Sequence, residues 1–151
     1  MKEEHSAGAV LFRENSETLE YLLLHYHAGH WDFPKGNVEK GEGELDTVRR
    51  EVKEETSINS IEFIDGFRKN IEYNYKRNGK LVHKKVVFYL AKTDVKDIKL
   101  SFEHKGYGWM NYEQALKRLT YKNAKFTLEA ANSFLNKVKG NNWSMDSYLK
   151  E

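Results

Sequence analysis

The sequence predicts an α+β domain built as an α/β/α sandwich, on three observations. β-Branched and aromatic runs recur between residues 7 and 92, a Gly- and Pro-free stretch with helical spacing interrupts them at residues 44–56, and a second helical pattern lies at residues 124–138. Strands accompanied by one central and one C-terminal helix bury their apolar faces best as helices packed on a sheet.

Residues 7–12 and 21–26 are aliphatic or β-branched and flank the polar run Arg13-Glu14-Asn15-Ser16-Glu17, which reads as two strands and a loop. Trp31-Asp32-Phe33-Pro34-Lys35-Gly36 is turn-rich and holds the only proline of the chain, so regular structure is expected to lapse there. Leu45, Val48 and Val52 recur at three- and four-residue spacing, which predicts an amphipathic helix over 44–56 with an acidic polar face. Residues 58–75 and 81–92 read as long antiparallel strands joined at Asn78-Gly79. Residues 107–110 read as a short strand and 113–119 as a short helix. Residues 124–138 form a longer predicted helix with Phe126, Ala130, Phe134 and Val138 on one face. Residues 1–140 are expected to fold as one domain, followed by a polar tail at 141–151 that Trp143 and Tyr148 are placed to dock.

Composition narrows the function. No apolar run approaches the roughly 20 residues of a membrane-spanning helix, and the N-terminal residues lack the apolar segment of a secretion signal, so a cytoplasmic protein without a membrane partner is expected. With no cysteine, any metal must be held by oxygen or imidazole, which favours Mg²⁺-type chemistry over structural zinc. A net charge of +2 argues against nucleic-acid binding beyond an RNA 5′ end, and a monomer is expected. The charges are unevenly placed: acidic residues crowd Glu39 to Glu55, whereas Arg68, Lys69, Lys76, Arg77, Lys80, Lys84 and Lys85 come later. Either these are two solvated runs or a cation-loaded acidic site faces a basic wall, as a polyphosphate would require.

Glu51, Glu54 and Glu55 stand at i, i+3 and i+4, so a helix puts all three on one side. Like charges at that spacing repel by about 0.2–0.5 kcal/mol per pair even when exposed, and Mg²⁺ or Mn²⁺ would relieve them while keeping positions open for water and phosphate oxygen. In isolation the same trio would read as a solvated acidic face.

It is not isolated. Gly36-x5-Glu42-x7-Arg50-Glu51-Val52-x-Glu54-Glu55-x-Ser57-Ile58 spreads its fixed residues over 23 positions, and here the chain resembles the Nudix family. It matches that family's signature except at Ser57, where the family has glycine. The resemblance implies a Nudix fold with a mixed central sheet and a metal-dependent hydrolase. Gly36 would turn the backbone sharply and offer its carbonyl to the metal, Glu42 and Arg50 would pin the loop to the helix, and Glu51, Glu54 and Glu55 would ligate Mg²⁺ or Mn²⁺. Such metals bridge phosphate oxygens and activate water. Ser57 puts the backbone at the helix exit in doubt more than the chemistry, because it supplies no ligand.

Residues 5–138 further resemble the animal and archaeal type of asymmetrical diadenosine tetraphosphate hydrolases. The resemblance lies in His30-Trp31-Asp32-Phe33-Pro34-Lys35-Gly36, in Gly66-Phe67 through Tyr73 with residues 84–91, and in residues 101–109 around Glu103-His104. It implies that Glu103 is a metal ligand or general base, that His30, Lys35 and Lys84 contact polyphosphate, and that Tyr73 and Tyr121 hold an adenine, with Tyr75 as the substitute. Core packing is the alternative for either tyrosine, and Trp31 and Trp109 are expected to pack.

Three functions stay open on the sequence. The first is hydrolysis of diadenosine tetraphosphate to ATP and AMP. The second is a Nudix hydrolase of another nucleotide, such as a 5′-triphosphate RNA end or a nucleoside triphosphate. The third is a Nudix-fold sensor that binds a nucleotide without cleaving it.

Overall fold

The computed structural model describes residues 1–16, 18–140 and 149–150, so the expectations for Trp143 and Tyr148 lie outside the described residues. One sheet runs in the order β3 (Trp31–Asp32), β2 (Thr18–Tyr26), β1 (Lys2–Asn15), β6 (Lys80–Lys92), β5 (Glu62–Arg77) and β8 (Leu149–Lys150). Off that path β4 (Lys35–Asn37) pairs with β1, and β7 (His104–Met110) with β2. β1 and β6 run parallel while the remaining pairs are antiparallel, so the sheet is mixed. The helices α1 (Glu44–Thr56), α2 (Tyr112–Arg118) and α3 (Lys122–Gly140) complete the predicted sandwich. Among the described residues, no helix is long and apolar enough to cross a membrane.

The central strands are apolar on both sides because both of their faces are covered. In β1, Ala7, Ala9 and Leu11 join Val48 and Val52 of α1 in one core, whereas Val10 and Phe12 join Leu119 of the α2–α3 turn and Leu128 and Leu135 of α3 in the other. Alternation in β6 follows the same rule: Val82, Val86, Phe88 and Leu90 are buried on or toward the α3 side, with Ala91 on the α1 side.

The strands are longer than the apolar runs that signalled them. β1 starts at Lys2, because its polar end is held by pairing to β6 from Lys2↔Val82 onward and hydrophobicity does not report backbone pairing. The predicted strand from residue 58 starts at Glu62 instead; Ile58 and Ile61 are buried in the α1-side core without being strand. Asn78 and Gly79, at φ 52° and 77°, make the predicted tight turn, whose two left-handed residues match the twist of the hairpin. The stretch around Pro34 holds two short strands that the sequence signals as turn. Gly8 lets that segment lie flat on β1, since a Cβ there would meet Pro34 O at 2.5 Å and Lys35 Cβ at 2.6 Å. Ala9 N–H also donates to Pro34 O.

The buried face of α3 is shifted from the predicted one: Val138 is buried and Ala130 and Phe134 pack partly against the core, but they lie at its edge. Ala124, Leu128, Ala131, Leu135 and Val138 are buried, whereas Phe126 is exposed. The i, i+4, i+7 spacing of the smaller residues tracks a straight helix on a sheet better than the strict four-residue spacing from Phe126 to Val138. Phe134 still packs edge-on against Phe67.

At the start of α1 the Gly43 N–H donates to Asp46 Oδ2 at 3.0 Å, and Glu44 and Asp46 sit where the helix dipole favours anions. At its end Ser57 takes the left-handed conformation, φ 67° and ψ 12°, that glycine would hold without strain. Its N–H caps Lys53 O, and its hydroxyl donates to Lys99 O at 3.0 Å. Left-handed backbone costs a non-glycine residue about 1–2 kcal/mol, and the hydroxyl bond returns about 0.5–1.5 kcal/mol. Ser57→Ala should therefore lose stability by roughly the value of that bond, while Ser57→Gly should stay within about 1 kcal/mol of the parent. Urea unfolding that ranks the alanine variant level with the glycine variant would show that no strain resides there.

Candidate active site

Arg50 organises the loop before α1. Its Nε and Nη2 donate to the two Glu42 oxygens at 2.7 and 3.0 Å, and Nη2 also reaches Asn37 O at 2.9 Å. The paired guanidinium holds the Glu42 carboxyl down to about 2. The Glu42 oxygen Oε1 further accepts from Thr47 Oγ1 and Glu39 N–H, so one ion pair fixes β4, the loop and the helix together.

Gly36 stands in β4 without a positive φ, contrary to the sharp turn expected of it. What demands glycine is space, because a Cβ at this position would overlap the Glu51 carboxylate. Glu51 lies in that cradle with Arg50 Nη1 at 2.7 Å, yet burial, the largest influence, raises its carboxyl. One turn on, Glu55 is almost fully buried; burial first, and then Glu51 beside it, push its carboxyl up to about 10. The two are close enough for one carboxyl to donate to the other, as crowded carboxyls do when a proton must stand in for a cation. Among the described residues, Glu55 Oε1 has no hydrogen-bond partner, and neither has His104 Nε2, 3.5 Å away.

The other two predicted ligands lie at the rim. Glu54 is on the same side of α1 but largely exposed, with Arg50 at 3.4 Å. Glu103 is exposed on the turn before β7, where it adds to the negative field at Glu55 and Tyr26. That turn is tied to the end of α1: Lys99 N–H donates to Thr56 O and Ser101 N–H to Glu55 O, which uses helix carbonyls that lack intrahelical partners. Among the described residues no three His, Asp or Glu groups are already gathered as a cation cage. The donor set nevertheless fits a hard divalent cation. It offers a buried orphan carboxylate oxygen, a neighbouring carboxylate in a glycine cradle and two exposed carboxylates at the rim.

A cleft of about 640 Å³ lies between the α3-facing side of the sheet and the start of α3, and its walls include none of Glu51, Glu54, Glu55 and Glu103. His30, Lys35, Tyr73, Lys84 and Tyr121 all line it. Lys35 joins cleft to carboxylates: its backbone N–H hydrogen-bonds to Glu55, and its ammonium donates to Asp32 Oδ2 at 2.9 Å. Burial lowers the Lys35 pKa, but Asp32 more than offsets this and the net shift is upward. Lys84 Nζ donates to Asn37 Oδ1 at 3.1 Å, and burial pulls its pKa down. Tyr73 and Tyr121 are 39% and 52% exposed, which leaves ring surface free in the cleft. Tyr75 is less free, because Arg77 stands 5.4 Å from its ring centre and its hydroxyl is bonded to Glu4.

The late basic run does not form one wall. Lys84 and Arg77 line the cleft, while Arg68 pairs with Glu44 and Tyr89 on the α1 side. Strand alternation divides such a run between two faces. Trp31 and Trp109 pack against the two cores, as expected.

Sequence reasoning assigned no role to Tyr26, Asp32 or His104. Tyr26 links the two halves of the site: its ring stacks on His30 at 4.4 Å, meets His104 edge-on at 4.4 Å, and its hydroxyl donates to Phe33 O. His30 in turn lies 5.6 Å from the Tyr121 ring. Asp32 and His104 sit inside the quoted motifs, so adjacency to Lys35 and Glu103 was a usable signal; Tyr26 ends an apolar strand and reads as core.

Comparison with known proteins adds descent to this geometry. The NUDIX domain family model matches residues 2–130. The asymmetrical bis(5′-nucleosyl)-tetraphosphatase of Mus musculus is 36% identical over 144 residues, covering 86% of this chain and 94% of the mouse protein. The Caenorhabditis elegans enzyme of the same name is 34% identical over 133 residues, covering 86% and 95%. A crystal structure of a C. elegans Ap4A hydrolase binary complex superposes with a TM-score of 0.79 at 32% identity, covering 89% of this chain and 98% of the other.

Proposed function

Because the chain belongs to the NUDIX family and is a Nudix hydrolase, we propose that it hydrolyses diadenosine tetraphosphate to ATP and AMP with Mg²⁺ or Mn²⁺. The observation that carries this reading is the continuity of the site. A cleft lined by two exposed tyrosine rings and Lys84 is joined by Lys35, whose backbone N–H bonds to Glu55, to the buried carboxylates of α1. The relatives named for asymmetrical tetraphosphate cleavage support the same substrate.

Glu51, Glu54, Glu55 and Glu103 would hold the metal, with Gly36 leaving room for Glu51. Bound there, a divalent cation lowers the pKa of water and neutralises phosphate charge. Arg50 and Glu42 keep α1 and the Gly36 strand in register. Lys84, at a longer 3.7 Å from its nearest carboxylate, supplies positive charge to the cleft, whereas Lys35, 2.9 Å from Asp32, orients Asp32 and the strand carrying Gly36. Glu103 accepts the proton of the attacking water as one phosphoanhydride opens, which leaves ATP and AMP. The test is a panel with separated products in Mg²⁺: dinucleoside polyphosphates, nucleoside triphosphates, sugar nucleotides and 5′-triphosphorylated RNA. Diadenosine tetraphosphate should give the highest kcat/KM and equal amounts of ATP and AMP. A triphosphate or RNA end cleaved faster would overturn the substrate.

Tyr73 and Tyr121 are proposed to hold an adenine between them. Base stacking on an aromatic ring is worth about 1–3 kcal/mol by alanine substitution, so each alanine variant should lose about five- to hundredfold in kcat/KM. Metal affinity should be unchanged and phenylalanine should restore most of the loss. Normal binding of adenine nucleotides by both alanine variants would sink the clamp, and their exposure predicts that neither variant melts appreciably earlier.

A further inference from the structure

At the outer end of the cleft stand Glu4 and Arg77, to which the proposed reaction gives no part, beside Lys84 and Tyr73, to which it does. Glu4 of β1, Lys84 of β6 and Tyr73 of β5 are direct cross-strand neighbours and all line the cleft, so they form one row across the sheet. Further along the β5–β6 hairpin, Tyr75 and Arg77 turn back onto that row. The Tyr75 hydroxyl donates to Glu4 Oε1, Arg77 Nη2 donates to the Tyr75 hydroxyl, and Arg77 Nη1 lies 2.9 Å from Glu4 Oε2. Lys84 Nζ is 3.7 Å from Glu4 Oε1. The Tyr75 hydrogen bond, aided by Arg77 and Lys84, holds the Glu4 carboxyl below its ordinary range, so it is ionised at neutral pH.

A carboxylate is an odd lining for a cleft that takes a polyanion, and its surroundings give it a use. Both amino groups of Arg77 are committed, one to Glu4 and one to Tyr75, so the guanidinium is held back from any phosphate. We propose that Glu4, with Arg77 held against it, makes the cleft select a substrate whose far end is a nucleoside over one that ends there in a free phosphate. This inference rests on the dinucleotide reading above. A phosphate bridging two groups carries one negative charge, whereas a terminal phosphate carries about 1.5–2 at pH 7. A nucleoside stacked on Tyr73 brings neutral ribose hydroxyls to the row where Glu4 stands, and these can donate to a carboxylate. A terminal phosphate in the same place sets its second charge against that carboxylate, and such a repulsive element is an ordinary source of specificity.

The test compares diadenosine tetraphosphate with adenosine 5′-tetraphosphate, each with Mg²⁺, in wild type, Glu4→Gln and Arg77→Gln. Wild type should prefer the dinucleotide. Glu4→Gln removes the charge and frees Arg77, so the mononucleotide-to-dinucleotide ratio of kcat/KM should rise about tenfold or more. Arg77→Gln removes the cation nearest Glu4 and leaves only Lys84, at 3.7 Å, to offset it, so the ratio should fall by about threefold or more. A merely structural role would move both variants in one direction, and that outcome overturns the inference, as does an unmoved ratio. If Glu4→Gln melts early, the fall expected of Arg77→Gln decides alone. Wild type that cleaves neither compound overturns the dinucleotide reading and this inference with it. Wild type that cleaves the dinucleotide, with the ratios unmoved in the variants, overturns this inference only.

Discussion

Glu55→Gln is expected to fold and to lose turnover by about a thousandfold or more, since metal activation of water is worth several kcal/mol and each ~1.4 kcal/mol is a factor of ten. The amide keeps the shape of the carboxyl in a site where it is almost fully buried, but it brings no charge to a cation. The same burial makes a second, opposite expectation for stability. Glu55 carries a folded-state pKa raised to about 10, far above the ordinary carboxyl value. A group raised in this way contributes stability that is fully present below its unfolded pKa and is lost as pH rises toward the folded one. With EDTA present, wild type should therefore lose stability steadily from about pH 4.5 upward, and Glu55→Gln should lose less. At pH 8 in EDTA the variant should melt higher than wild type, and added Mg²⁺ should raise wild type more than the variant. Turnover within threefold of wild type would remove Glu55 from the metal site.

The parts of this protein that were legible in the sequence are those written into local spacing. α1 lies where Leu45, Val48 and Val52 place it, and the Arg50 to Glu42 bond joins the two motif residues expected to pin the loop. Asn78-Gly79 marks its own turn, because few other residue pairs accept two left-handed conformations. Contacts made across the sheet were not legible. The parallel pairing of β1 with β6 links residues some 80 positions apart, and no local pattern reports it. The reason for glycine at position 36 was misread as a sharp turn for the same reason: its need for space comes from Glu51, a neighbour on another element. Tyr26 shows the limit most clearly. An aromatic at the end of an apolar strand reads as core, and only the fold reveals His30 on its face and His104 at its edge.

Glu103→Gln should lower kcat by about a hundred- to a thousandfold with little change in KM, the pattern of a group that acts mainly in the transition state as a general base. The structure favours a clean test, because the turn that carries Glu103 is held by its backbone. Its carbonyl accepts from His27 N–H at 3.3 Å, its N–H donates to Ser101 Oγ at 3.4 Å, and Ser101 N–H is fastened to Glu55 O at 3.2 Å. None of these bonds uses the carboxylate, so the substitution removes charge without moving the loop. The side chain is exposed at the rim, while the next residue, His104, is buried 3.5 Å from Glu55, so the turn carries Glu103 over the carboxylates without packing it among them. In the proposed reaction the water that Glu103 deprotonates would sit beside Glu55, and loops of this kind settle into their working geometry as substrate arrives. Glu103→Asp, which keeps the charge on a shorter arm, should recover part of the rate, whereas Glu103→Gln should not. Equal kcat in Glu103→Gln and wild type would take the proton away from this loop and assign it to the carboxylates of α1.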